Sequence, residues 1–206
     1  MTEPTTEPTT EPTNRPGAWN PLLREQFAWH WEHQLRPRFA GLTDEEYLWE
    51  PVPGAWNVRP RGTSTAPMAA GSGEFTIDWA FPPPTPAPLT TIAWRLGHVI
   101  VGCLAMRSAA HFGGPAAAYD TWAYAGTAND ALTQLETELD RWGAGVEGWG
   151  EEGLLQACGP AEGPYAEAPR ATLVLHIQRE LIHHLAEVSL LRDLYAHLDT
   201  HSHQEH

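Results

Sequence analysis

Apolar residues recur at helical spacing in four stretches of the chain, separated by segments where that spacing is lost. The last stretch, LVLHIQRELIHHLAEVSLLRDLY, is the clearest. At roughly 100° per residue, Leu173, Ile177, Leu181, Val188, Leu191 and Tyr195 fall within one sector about 80° wide, the signature of a buried stripe. The spacing predicts long helices over about 20–39, 89–112, 127–143 and 168–198. Asn20 and Pro21 suit the start of the first helix, and Gly113 and Gly114 the end of the second. Thr43 and Glu46 form a capping-box pattern at the short helical stretch TDEEYLW. Between 50 and 88 the helical period disappears among Pro, Gly and Trp, with room for short extended pieces near GEFTIDWAF. A connection that long inside a compact domain is more often functional than idle. The pattern predicts an all-α fold, a four-helix bundle with a long Pro/Trp-rich crossover loop between helices 1 and 2.

The ends break the pattern differently. Residues 1–17 repeat a TEPT unit with almost no apolar side chain, and 199–206 are polar and His-rich. Neither can repay the entropy of ordering, so both read as disordered tails around one domain at 18–198.

Several polar groups sit where the helical phase points inward. On the fourth helix His184 lies inside the apolar sector, and Glu180, four residues away, lies at its edge on the same face. Glu187 sits on the border, within reach of His183 and His184, while His183 points away from the stripe and His176 lies farther out beyond Glu180. On the second helix His98 shares its face with Trp94, Val101, Ala105, Ala109 and Phe112. Three inward polar groups need partners, because a buried one left unpaired costs on the order of 1–3 kcal/mol. Two arrangements supply them. The carboxylate can accept hydrogen bonds from both imidazoles, or all three can ligate a metal. Two histidines and one acid with a fourth position open form the ligand set of many catalytic zinc sites, and i, i+4 is a good chelating spacing.

Composition narrows the chemistry. A formal charge of −14 argues against nucleic acid and against an anionic membrane surface. All twelve basic residues are arginine, so neither Schiff-base chemistry nor a phosphate-loop lysine is available. The N-terminus has neither the basic start nor the apolar run of a secretory signal, and no window approaches 18 consecutive apolar residues, so a cytoplasmic protein is expected. Cys103 and Cys158, the two cysteines, have no CxxC spacing. On an ideal α-helix Cys103 points about 140° away from His98, and Cys158 lies in a loop without a basic partner, so neither reads as a nucleophile. Arg95 and Arg192, each flanked by core residues, are candidates for holding a substrate carboxylate. Trp49, Trp56 and Trp79 in the crossover read as cover for one end of the bundle.

The stretches TTIAWRLGHVIVG, WEPVPGAWNVRP and RELIHHLAEVSLLRDLY resemble the DinB-like superfamily, which includes mycothiol and bacillithiol S-transferases and the metal-binding domain of mycothiol-dependent maleylpyruvate isomerase. The resemblance implies a four-helix bundle with a divalent metal, usually zinc or nickel, held at one end. Matched residue by residue, it implies His98, Glu180 and His184 as ligands, with His183 the frequent extra histidine. Glu180 departs from the many members with histidine there, and a carboxylate is the harder ligand. The function so implied is a divalent-metal-dependent S-transferase joining a low-molecular-weight thiol to small electrophiles. The alternatives are a metal-dependent hydrolase, and a non-catalytic metal-stabilised bundle that binds a partner or forms a homodimer.

Overall fold

The computed structural model describes residues 18–202, with side chains to residue 198. The predicted tails therefore lie outside the described residues, except for the backbone of 199–202, which continues the last helix. The chain is mostly helical. Helix α1 runs unbroken through Trp19–His30, Trp31–Leu35 and Arg36–Phe39, and is followed by the short α2, Asp44–Leu48. Helix α3 comprises Ile92–His98, Val99–Ala105 and Met106–Phe112; α4 is Ala128–Leu155 and α5 is Arg170–Ser202. No helix among the described residues is long and apolar enough to cross a membrane.

The four long helices close on one core. Leu96, Ile100 and Leu104 of α3, Leu135 of α4, and Ile177, Leu181 and Leu185 of α5 are fully buried there. Each such side chain contributes roughly 1.5–3 kcal/mol by leaving water. The predicted stripe of α5 is buried at Leu173, Ile177, Leu181 and Val188. Leu185 and Val174 widen it, because α5 packs against α1, α3 and α4 together. Thr91 and Thr127 cap α3 and α4, accepting from the backbone N–H of Trp94 and Asp130.

Three local expectations change. Asn20 does not cap α1: its side chain is buried and donates to the carbonyls of Val146 and Gly150 on α4. The carboxylate of Glu151 takes the capping role, accepting from the N–H groups of Trp19 and Asn20. The capping box at α2 is half formed. Thr43 accepts from the N–H of Glu46, but the Glu46 carboxylate turns to Arg192 instead of back to Thr43. Helix α4 also continues past its predicted end at 143 as far as Trp149, kinks at Gly150 (φ 58°, ψ −163°) and carries on as a short helical piece to Leu155. Glycine disfavours a helix, yet the ring of Phe112 lies where a side chain at Gly145 would be, 2.2 Å from an added Cβ. Packing of Phe112 with Trp142 and Trp149 outweighs propensity here.

The segment read as a crossover loop is a small antiparallel sheet, β1 Val58–Pro60, β2 Met68–Ala70 and β3 Phe75–Trp79, in the order β1-β3-β2. Val58 pairs with Ile77 and Met68 with Trp79. Asp78, almost fully buried, ties the segment together by accepting from the Asn57 N–H, Arg59 Nε and Ser64 Oγ. Asn57 in turn accepts from the Thr91 hydroxyl at 2.7 Å and donates to the Leu48 carbonyl. The sheet is thereby latched to the N-terminus of α3, about two turns before His98.

Candidate metal centre

Glu180 and His184 stand one turn apart on α5, with His184 Nε2 3.4 Å from Glu180 Oε2. His98, projecting from α3, crosses His184 edge to face, with ring centroids 4.8 Å apart and planes at 89°. One ligand atom from each of the three lies within 4.8 Å of the others. Metal–ligand bonds of 2.0–2.1 Å in a tetrahedron require donors about 3.4 Å apart, which the Glu180–His184 pair already satisfies.

Both imidazoles are committed through one nitrogen only. His98 Nδ1 is 2.8 Å from the hydroxyl of Tyr119. His184 Nδ1 is 2.8 Å from Glu187 Oε2. A terminal nitrogen of Arg95 also lies 3.3 Å from this Nδ1, but the carboxylate is closer and can only accept, which assigns the proton of His184 to Nδ1 and leaves the lone pair at Nε2, toward Glu180. An imidazole held at Nδ1 and offered at Nε2 is how ligating histidines are ordinarily oriented by their outer partners. The remaining nitrogen of His98 meets only the thiol of Cys103, at 3.9 Å. The three donors therefore do not satisfy one another: the Glu180–His184 separation is long for a hydrogen bond, and His98 Nε2 faces a weak partner.

Burial pushes the pKa of His98 down to about 4, helped by His184 and Arg95 and opposed by Glu180 and Glu187. His98 is thus neutral, the form that binds metal, throughout the physiological range. A fall in metal affinity near the usual imidazole value of about 6.5 would not come from this residue.

The sheet explains how His98 is held. Trp56 and Trp79 stack on each other at 6.3 Å, Trp79 stacks on Trp94 at 6.4 Å, and Trp94 stacks on His98 at 5.5 Å. Trp79 also packs on Tyr119 at 5.3 Å. Trp56 and Trp79 therefore wall the site through Trp94 and Tyr119, whereas Trp49 packs edge-on against Tyr195.

Tyr119 lies in the α3–α4 connection, and sequence reasoning missed it. The signal was Gly102, a glycine in a core helix. A Cβ there would lie 2.1 Å from the Tyr119 hydroxyl, so only glycine admits that side chain to His98. Tyr119→Phe should weaken divalent-metal binding by about 10- to 100-fold while the protein stays folded. Competition with a chromophoric chelator measures this, and unchanged affinity would remove Tyr119 from the supporting shell.

Cys103 was also misplaced by the sequence. Val99–Ala105 is wound as a π-helix, in which residues five apart come nearly into register. Cys103 is therefore turned back toward His98. Its thiol is no better a nucleophile for that: burial and Glu180 push its pKa up to about 12. Cys158 is buried as well, its pKa raised mainly by burial.

His183 is exposed, as its phase predicted, with Nε2 3.5 Å from Glu187 Oε1. His183, His184 and Glu187 form a second group of donors within 4.8 Å. It is the poorer cation site, because Arg95 already places a guanidinium 3.1 Å from Glu187 Oε2. That contact also accounts for Arg95, which lies beside the centre but is engaged with Glu187 and packed over Trp94. Arg192, the other expected anchor, is spent on the fold. Its Nε and one terminal nitrogen grip Glu46 at 2.6 and 3.0 Å, and the other terminal nitrogen donates to the carbonyls of Arg38 and Ala40.

A cavity of about 220 Å³ opens beside the donors, lined by His98, Cys103, Met106, Tyr119, Ile177 and Glu180 among others. A sequence profile of the DinB superfamily matches residues 74–188, more than half of the chain. The chain belongs to the DinB superfamily. The matched region of this DinB protein includes His98, Glu180 and His184 and leaves out 49–60. No curated protein and no solved structure matches the chain. The donor set fits the divalent cation that DinB proteins often bind: neutral imidazole nitrogens held by outer partners, a single carboxylate, and room on one side.

Proposed function

We propose that this DinB protein is a four-helix-bundle metalloenzyme, with His98, Glu180 and His184 holding a divalent cation, zinc before nickel. Its reaction is the transfer of a small-molecule thiol to a small electrophile. The observation that carries this reading is the cavity against His98 and Glu180. A purely structural ion is enclosed by its ligands, whereas a catalytic one keeps a position for a reactant. Two imidazoles and one carboxylate leave such a position, and the cavity lies beside it.

A divalent ion bound there supplies Lewis acidity, which favours the thiolate form of a thiol that approaches it. The chain's own groups do the rest. Glu187 and Tyr119 fix the two imidazoles, so little reorganisation is needed when a reactant enters. Tyr119 keeps its proton, since burial raises its pKa further above the ordinary phenol value. With a cation on Nε2, the proton of neutral His98 would lie on Nδ1, so the Tyr119 hydroxyl would accept it and keep its own O–H for a ligand in the cavity it lines. Met106, Ile177 and the neutral Cys103 thiol supply an apolar part of that cavity's lining, alongside the polar groups of Arg107, His176 and Glu180.

Metal-dependent formation of the thioether from chlorodinitrobenzene and a panel of cellular thiols tests the proposal. Turnover that a chelator abolishes and added metal restores is expected. Chelator-sensitive cleavage of a reactive ester without any thiol would instead make the protein a hydrolase. Absence of both would leave a metal-binding scaffold.

A further inference from the structure

A second and larger cavity, about 700 Å³, lies between the 3-10 segment Pro160–Tyr165 and α5. It shares two lining residues, Arg107 and His176, with the cavity at His98, so the two spaces adjoin. Its walls combine an apolar surface with a local excess of positive charge. Tyr165 and Leu175, which line it, are 70% and 53% exposed, and Leu173 lies buried beside them. Arg107 and Arg179 contribute two guanidinium groups against one carboxylate, Glu162.

That carboxylate is already occupied. Glu162 Oε1 is 2.8 Å from His111 Nε2, and its other oxygen meets Arg107 Nε at a long 3.5 Å. Arg107 makes no hydrogen bond among the described residues, and its Nε is buried without one. Arg179 is two-thirds exposed, its NH2 2.9 Å from His176 Nδ1 and its Nε no closer than 3.9 Å to Glu180. In a chain of net charge −14, two weakly engaged arginines around an apolar hollow are a local reversal of sign. Planar guanidinium forks match carboxylate-like anions, and the volume lies within the range of small-ligand sites.

We infer that this cavity binds a small organic anion with an apolar body, its charge held by Arg107 and Arg179 and its other end directed past His176 to the metal centre. The orientation toward the metal rests on the function proposed above, and the anion site itself does not. A thiol or electrophile bearing a carboxylate would be placed across both spaces, anchored at one end and reactive at the other.

Dansylglycine, an aromatic carboxylate, and dansylamide, its uncharged counterpart, separate the possibilities by fluorescence titration of the full chain, with the two probes compared on chelator-treated protein because a primary sulfonamide can itself ligate zinc. Dansylglycine is expected to bind chelator-treated protein about tenfold or more tighter than dansylamide, and to bind metal-loaded protein as well. Arg107→Met and Arg179→Met should each remove most of that preference while dansylamide binding stays as it was. Arg179→Met keeps the test decisive if loss of the Glu162 contact unfolds the Arg107 variant, because Arg179 is exposed. Equal binding of the two probes, or an unchanged preference in Arg179→Met, overturns the anion site. Replacing zinc with cobalt should quench the bound dansylglycine. No quenching would disconnect the cavity from the metal centre, and dansylglycine binding by a protein that takes up no metal would refute the metalloenzyme reading while upholding the anion site.

Discussion

Alanine at His98 or at His184 should leave the protein without stoichiometric divalent metal after dialysis, whereas His183→Ala should retain it. The expectation follows from which nitrogens are free. His98 and His184 each use Nδ1 on an outer partner, which leaves His184 Nε2 toward Glu180 and His98 Nε2 with only the weak Cys103 contact. The three side chains keep a donor atom each within 4.8 Å of the others. Removing either leaves one imidazole and one carboxylate. Distributing the apparent binding energy of a four-ligand zinc site over its ligands, loss of one costs about 100- to 1,000-fold in affinity. His183 is mostly exposed and meets Glu187 from outside. Metal analysis of untagged protein decides the matter, and shortening the chain after Leu198 should not change the result. Full metal content in the His184 variant would sink the ligand assignment, and a large loss on shortening would move the metal to the C-terminal histidines.

Arg192→Met is the substitution with the largest expected cost to stability outside the core. Arg192 binds both oxygens of Glu46, whose side chain is 7% exposed, and also ties down two carbonyls at the end of α1. Without it a buried carboxylate faces no counter-charge, and breaking such a pair costs roughly 3–5 kcal/mol. For a domain of this size that corresponds to a fall in Tm of about 6–20 °C. Adding Glu46→Leu to Arg192→Met should recover much of the loss, because the stranded charge is then gone. Metal binding should be unaffected in both variants. A Tm within a degree of the parent would show that water reaches Glu46 and that the pair is dispensable.

Those two predictions draw on different kinds of information. The convergence of His98, Glu180 and His184 was legible in the sequence, because α5 is a regular α-helix through Glu180, His184 and the buried stripe, and its phase survives folding. Thr43 as a cap and the exposure of His183 were readable for the same reason: each depends on neighbours within one turn. The role of Arg192 was not. An arginine beside a stripe looks the same whether its guanidinium meets a ligand or Glu46, and Glu46 is 146 residues away along the chain.

The sequence by itself determined the helical elements, the face each one buries and the inward direction of His98, Glu180 and His184, since all of these follow from local periodicity. Tertiary structure alone decided the rest. The 50–88 segment became a sheet because Asp78 gathers donors from Asn57, Arg59 and Ser64, none of them paired with it by any local pattern. Helix α4 ran on past Gly143, Gly145 and Gly148 because Phe112 needs the space at Gly145, and it kinked at Gly150. Cys103 came round to His98 because a π-helical segment winds α3 more widely than the phase assumed, and Tyr119 reached His98 because Gly102 leaves it room. In every such case the deciding contact joins residues whose separation carries no period, so no reading of spacing could supply it.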